Sequence, residues 1–205
     1  MITMNGGTLS YGSYSLSNND LTVYGSTRAF YVESSEPLKN NYFEFTCNSY
    51  SNCMHPTGFI FGDDALYTST KRNYRTNGAS IYLTNVNNSV EVGITHNNSG
   101  PTYLINGIKF VLTGGNITSL VIDKKNQFHV YSNGELMWSY NIGFSFPKGN
   151  TRVFMTRGWD SHTASNTFNF GDQGEGFKYK NIYDLYFKQL HKVYDNEDSV
   201  YGKYK

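Results

Sequence analysis

The chain has 205 residues, a length that fits one domain, with 17% aromatic residues against only 16% charged ones. A net charge of +1 supplies no long-range field to gather nucleic acid or an anionic membrane surface. No run reaches the ~20 apolar residues of a membrane-spanning helix. Nucleic-acid partners and membrane insertion are therefore not expected. The opening "MITMNGGTLS" lacks the basic and apolar regions of a signal peptide, which predicts a chain made and kept in a cytoplasm.

Tyr, Phe, Val, Ile and Thr suit pleated, half-buried surfaces, while the best helix formers are scarce. Short apolar runs separated by Gly- and Asn-rich turns predict strands throughout. In chain order these are 21–24, 28–33, 42–47, 58–62, 80–84, 90–95, 108–112, 119–123, 128–132, 136–140, 152–156 and 167–171. Alternation sets Phe43 and Phe45 opposite Tyr42, Glu44 and Thr46, and Phe128 and Val130 opposite His129 and Tyr131. The run "IYDLYFKQL" at 182–190 is predicted as a further strand, although Ile182, Leu185 and Leu190 also suit a short helix. Residues 1–190 form one predicted domain. Residues 191–205 are a polar tail of mixed charge, suited to lie against a partner chain or against its own domain.

The sequence has two cysteines, in "TCNSYSNCM". Cys47 and Cys53 could close a small disulfide loop or both remain thiols; the missing export signal favours thiols. His55 is close by, but a fourth ligand at finger-like spacing is missing.

Between residues 117 and 140 the chain reads "ITSLVIDKKNQFHVYSNGELMWSY". Its Asn-Gly suits a type I′ hairpin turn, in which both central residues take positive φ. This strand–turn–strand pattern resembles the concanavalin A-like sandwich domains, in particular their laminin G-like and pentraxin-like branch. "YFEFTCNSYSNCMHPTGFIFGDD" (42–64) is similar to the early strand pair of those domains. "FNFGDQGEGFKYKNIYDLYFKQL" (168–190) is similar to their closing segment. SPRY domains share the sandwich class and the "YFE" and "NFG" stretches, and stand second. The resemblance implies a two-sheet antiparallel β-sandwich, a jelly roll, whose hairpin residues Phe128, Val130, Leu136 and Trp138 fill the gap between sheets ~10 Å apart.

Catalytic patterns are weak. Glycosidases need two carboxylates about 5–9 Å apart, yet the seven Glu show no i, i+2 or i+4 pair; Glu44, Glu91 and Glu135 each stand alone. No G-x-S-x-G elbow appears. His129 falls mid-strand, where a packed or surface imidazole is the ordinary case, and His162 sits beside Asp160 and Ser161 on one loop. The resemblance does imply possible Ca²⁺ sites at the rim, at Asp63 and Asp64 and at Asp172 with Glu175, where an exposed turn carboxylate is the plainer role.

Recognition by stacking fits the composition better. Tyr and Trp give rigid contact area, and Asn and Ser supply adaptable hydrogen bonds. Loops 47–55, 67–78, 94–103 and 157–166 have this makeup, with Tyr50, Tyr74, Arg75, Tyr103, Trp159 and Asp160 as the candidate ligand-binding residues. Lys71 and Arg72 lie beside Arg75 and could meet an anionic group. The resulting expectation is a non-catalytic binding or structural module. It would sit on a virion, as a bacteriophage surface, decoration, fibre or receptor-binding component. Its partners would be a host-surface glycan or protein, other virion proteins or further copies of itself. An intracellular SPRY-like adaptor is the alternative, and a glycan-active enzyme stands third.

Overall fold

A computed structural model describes residues 1–5, 11–48, 56–62, 78–86, 89–96, 102–104, 114–157, 164–172 and 174–188. Residues 11–13, 26–29, 85–86, 89, 103–104, 157 and 164 are described by backbone alone. The strands are β1 (Tyr11–Ser17), β2 (Thr22–Glu33), β3 (Tyr42–Cys47), β4 (Thr57–Phe61), β5 (Ala79–Val86) and β6 (Ser89–His96). There follow β7 (Thr102–Leu104), β8 (Ile117–Ile122), β9 (Gln127–Ser132), β10 (Glu135–Asn141), β11 (Arg152–Arg157) and β12 (Ala164–Asn169), then a helix, α1 (Lys180–Phe187).

Hydrogen bonding runs along the path β10-β9-β8-β3-β12-β2-β11-β4-β5-β6-β7, with β1 also paired to β2. The path folds over at β2. Its first part, Thr22 to Gly25, pairs with β12, and its second part, Phe30 to Glu33, pairs with β11. One long strand therefore serves two antiparallel sheets, and the sheets close face to face.

Their inner faces meet in an aromatic core. Phe43, Phe45, Leu120, Phe128, Val130 and Phe168 come from the first sheet, and Phe59, Ile81, Leu83, Val92, Val153 and Met155 from the second. Phe59 of β4 stands edge-on to Phe43 of β3 with ring centroids 5.1 Å apart, and to Phe128 of β9 at 6.3 Å. Asn166 Nδ2 also donates across the layers to Thr57 Oγ1 at 3.2 Å. The alternation expected in β3 and β9 holds: Phe43, Phe45, Phe128 and Val130 face inward, while Tyr42 and Tyr131 lie in a separate outer cluster.

Three expectations change. The stretches 21–24 and 28–33 are one strand, β2. The stretch at 182–190 is not a strand, because its described part belongs to α1. Strand alternation would split its aromatics between two faces. Helical spacing instead brings Ile182, Tyr183, Tyr186 and Phe187 onto the outer face of the first sheet, against Tyr42, Val121 and Tyr131. Leu185 is left 70% exposed.

Leu136 is the third change: it is 55% exposed rather than in the core. Asn133 and Gly134 take φ of 48° and 88°, the positive pair the turn requires. The register then shifts between Leu136 and Trp138. That bulge turns Leu136 to the outer face opposite Tyr131 and returns Trp138 to the inner one. Trp138 packs on the core beside Phe128, with ring centroids 6.4 Å apart. Two elements went unforeseen: β1, which is polar, and the three-residue β7. The stretch 108–112 and the tail 191–205 lie outside the described residues. Cys47 is buried at the end of β3, and Cys53 also lies outside the described residues.

Candidate functional site

A buried carboxylate organises part of the outer face of the first sheet. Glu44 projects from the outer face of β3 and is 1% exposed. It accepts hydrogen bonds from the backbone N–H groups of Lys178 (2.8 Å) and Tyr179 (2.7 Å), from Asn169 Nδ2 (3.1 Å) and from the Tyr42 hydroxyl (2.8 Å). A charge buried in this way is tolerated because its lone pairs are satisfied. Burial, reinforced by the Glu44 charge, holds the Tyr42 phenol well above its ordinary range, so it remains a donor. The Gly-rich turn before α1 is thereby tied to the sheet, and the helix starts where Glu44 sets it.

Beside this anchor opens a cavity of about 860 Å³. One wall is the segment from Glu36 to Asn40, another runs from Phe170 to Phe177, and α1 contributes Lys180, Tyr183, Asp184 and Lys188. Aromatic rings make a rigid side: Phe177 stands edge-on to Tyr42 at 4.6 Å, and Tyr183 lies 5.0 Å from Phe177. Asn40 Nδ2 donates to the Tyr183 hydroxyl at 2.6 Å and fixes that ring. Carboxylates and ammonium groups both line the cavity, so it carries no strong field of one sign. Asp172 accepts the Ile2 N–H, and Asp184 pairs with Lys188 at 2.8 Å.

Most residues singled out in the sequence cannot be compared with this site. Tyr50, Asp63, Asp64, Tyr74, Arg75, Trp159 and Asp160 lie outside the described residues, as do Lys71, Arg72 and His162. Tyr103 is placed by backbone in β7, paired with Gly93. Asp172 and Glu175 do border the cavity. Among the described residues, however, no group of three His, Cys, Asp or Glu is close enough to hold a metal ion.

Two buried carboxylates, Glu33 and Glu44, stay apart in space. Glu33 neighbours Val32, which faces the core, so it lies on the outer face of the second sheet, where Arg152 Nε approaches its Oε2 at 4.0 Å and the Tyr31 hydroxyl donates to it. Glu44 lies on the outer face of the first sheet. The core separates them.

One grouping, around the His129 read as an ordinary mid-strand imidazole, was not foreseen. His129 lies between Asp123 (Nε2 to Oδ2, 3.2 Å) and Ser139 (Nδ1 to Oγ, 2.7 Å). The hairpin register pairs Ser139 with His129. Asn133-Gly134 was visible as a turn, but the bulge that sets this pairing left no sequence signal.

No family model and no curated protein matches the sequence. Solved structures do match in shape. One was reported with endo-acting O-glycanases that prominent members of the human gut microbiota express to initiate mucin breakdown. It has a TM-score of 0.51 at 8% identity and covers 82% of this chain and 88% of that one. The PSpry domain of TRIM65 has a TM-score of 0.50 at 15% identity, over 82% and 89% of the two chains. Carbohydrate-binding module CBM66 from Bacillus subtilis is more distant, at 0.47 and 13% identity over 80% and 92%. At such identities the likeness shows the fold alone: a two-sheet jelly roll of the concanavalin A-like class.

Proposed function

We propose that the chain is a binding module that takes its ligand, without turning it over, in the cavity beside Glu44. The single observation that carries this reading is the cavity itself. It is large enough for a small glycan or a peptide segment, walled by fixed aromatic rings, and fringed by donors and acceptors of both charges. Rings offer flat faces to sugar C–H groups, and Asn40, Lys39 and Glu175 offer partners to hydroxyls. Net charge near neutrality suits an uncharged polyhydroxy ligand better than a polyanion. The finer reading is a virion component, with a host-surface glycan or protein as its partner and copies of itself or other virion proteins as its neighbours. Its support is compositional: Asn, Tyr, Lys and Ile usage suggests an A/T-rich genome.

A glycan array followed by calorimetric titration tests the module. We expect binding without release of cleaved product. The double variant K39A/E175A should weaken binding about tenfold or more, equivalent to ~1.4 kcal/mol, and leave the melting temperature unchanged. Unaltered affinity in that variant would remove the cavity from the reading. Turnover of a bound glycan would overturn the reading of this cavity as a site of binding alone. Sedimentation at micromolar concentration separates the virion reading from the adaptor: a monomer that ignores glycans and retains peptides favours the adaptor.

A further inference from the structure

Across α1 from the cavity, the hairpin β9–β10 and the turn before it bring together three side chains that a packing role does not fully explain. His129 is almost enclosed, its side chain 7% exposed, and Asp123 beside it is 13% exposed. Asp123 is held in place by its turn: Oδ1 accepts the N–H groups of Lys125 (2.7 Å) and Gln127 (2.9 Å). Its other oxygen meets His129 Nε2. An ionised carboxylate only accepts hydrogen bonds, so Nε2 carries the proton. Nδ1 is then the acceptor, and Ser139 Oγ donates to it at 2.7 Å. Burial works against the Asp123 charge, but the hydrogen bonds from Gln127, His129 and Lys125 outweigh it and keep this carboxyl below its ordinary range. The Tyr186 ring lies over the imidazole, centroids 4.8 Å apart, and shields it from water.

The relay ends on an exposed residue, Ser139. It also ends at an open sheet margin, since β10 is the terminal strand of the path among the described residues. Ile142 N–H bonds Asn126 O at 3.0 Å. Antiparallel pairs alternate between bonded and non-bonded positions, so counting back through Asn141–Gln127 and Tyr140–Phe128 makes Ser139–His129 a non-bonded pair. Two consequences follow. The side chains of such a pair approach closely, and the Ser139 N–H points outward from the sheet margin, where it can donate to an oxyanion forming at Ser139.

We propose that Ser139 is the nucleophile of an acyl-transfer site for short-chain carboxylic esters, with His129 as its general base and Asp123 as the residue that positions His129. Ser139 Oγ bonds to the acyl carbon while its proton passes to His129 Nδ1. The alkoxide leaves with that proton as an alcohol. Water then gives a proton to Nδ1 and its oxygen to the acyl carbon, and the carboxylic acid departs as Oγ is reprotonated. An open strand offers no deep acyl pocket, which selects short acyl groups, and the exposed Leu136 on the same outer face is the apolar surface they would meet. The site is independent of the cavity, because Tyr183 faces the cavity and Tyr186 faces His129.

The test uses the full chain with a fluorophosphonate probe and p-nitrophenyl acetate. The expected result is a single phosphonylated peptide containing Ser139, no labelling in S139A with an unchanged melting temperature, and labelling at least ~100-fold slower in H129Q. In D123N, acetate turnover should show kcat reduced with KM unchanged, as a positioning role requires. Absence of labelling in the wild type, labelling that survives S139A, or H129Q labelling at the wild-type rate would each overturn the proposal.

Discussion

Glu44 shows how a single residue can set local architecture without taking part in chemistry. Sequence alone made it a lone acid in an aromatic strand, and a lone acid there reads as surface. In the fold its two oxygens collect two backbone N–H groups, an amide and a phenol. Glu44→Gln keeps the size but turns one acceptor into a donor facing donors. The expected loss is about 1.5–3 kcal/mol by urea denaturation. Because the turn at 176–179 hangs on this carboxylate, the same variant should also weaken ligand capture in the cavity. A variant with wild-type stability would show that the four hydrogen bonds are worth no more than their water counterparts.

At the scale of elements, the β9–β10 hairpin and α1 depend on each other. Gly134 was legible from the Asn-Gly pair, since only that turn type needs positive φ at both positions. Its second constraint was not legible. A Cβ there would come within 2.7 Å of the Tyr179 ring, which precedes α1 in the chain. Gly134→Ala therefore meets both the left-handed backbone cost of ~1–2 kcal/mol and a clash with Tyr179. A measured loss above 2 kcal/mol is the expected outcome, whereas a loss under 1 would mean that the hairpin tip and Tyr179 move apart at little cost. The helix itself was half legible: the spacing of Ile182 and Leu185 allowed it, but Leu185 points to solvent, and Tyr183 and Tyr186 join Ile182 in the packing. Choosing between helix and strand needed the sheet beneath, because both periods fit so short a run.

For the whole molecule, the core is a cross-layer contact set with Phe59 near its centre. Phe59 meets Phe43 and Phe128, both on the opposite sheet. Phe59→Ala should cost about 3–5 kcal/mol, from lost transfer energy plus the cavity left behind. Calorimetry should show one cooperative transition moved to lower temperature. Two separate transitions would mean that the sheets unfold as independent layers, contrary to a core shared through β2. The shared strand is the reason to expect cooperativity, since breaking either sheet exposes β2 on both.

The sequence by itself determined that the chain is built of strands and turns. Period-two alternation in β3 and β9, turn residues at regular spacing and an aromatic-rich, charge-poor composition each act locally, so they can be read along the chain. Only the tertiary structure decided which side chains meet. The bulge after Leu136 sets the partner of His129, the crossing of β2 joins the layers, and Glu44 finds three of its four donors more than a hundred residues downstream. Those outcomes depend on register and on distant backbone groups, and one residue of slip exchanges the two faces of a strand. Local pattern therefore fixed what kind of surface each strand offers, and long-range pairing fixed what that surface touches.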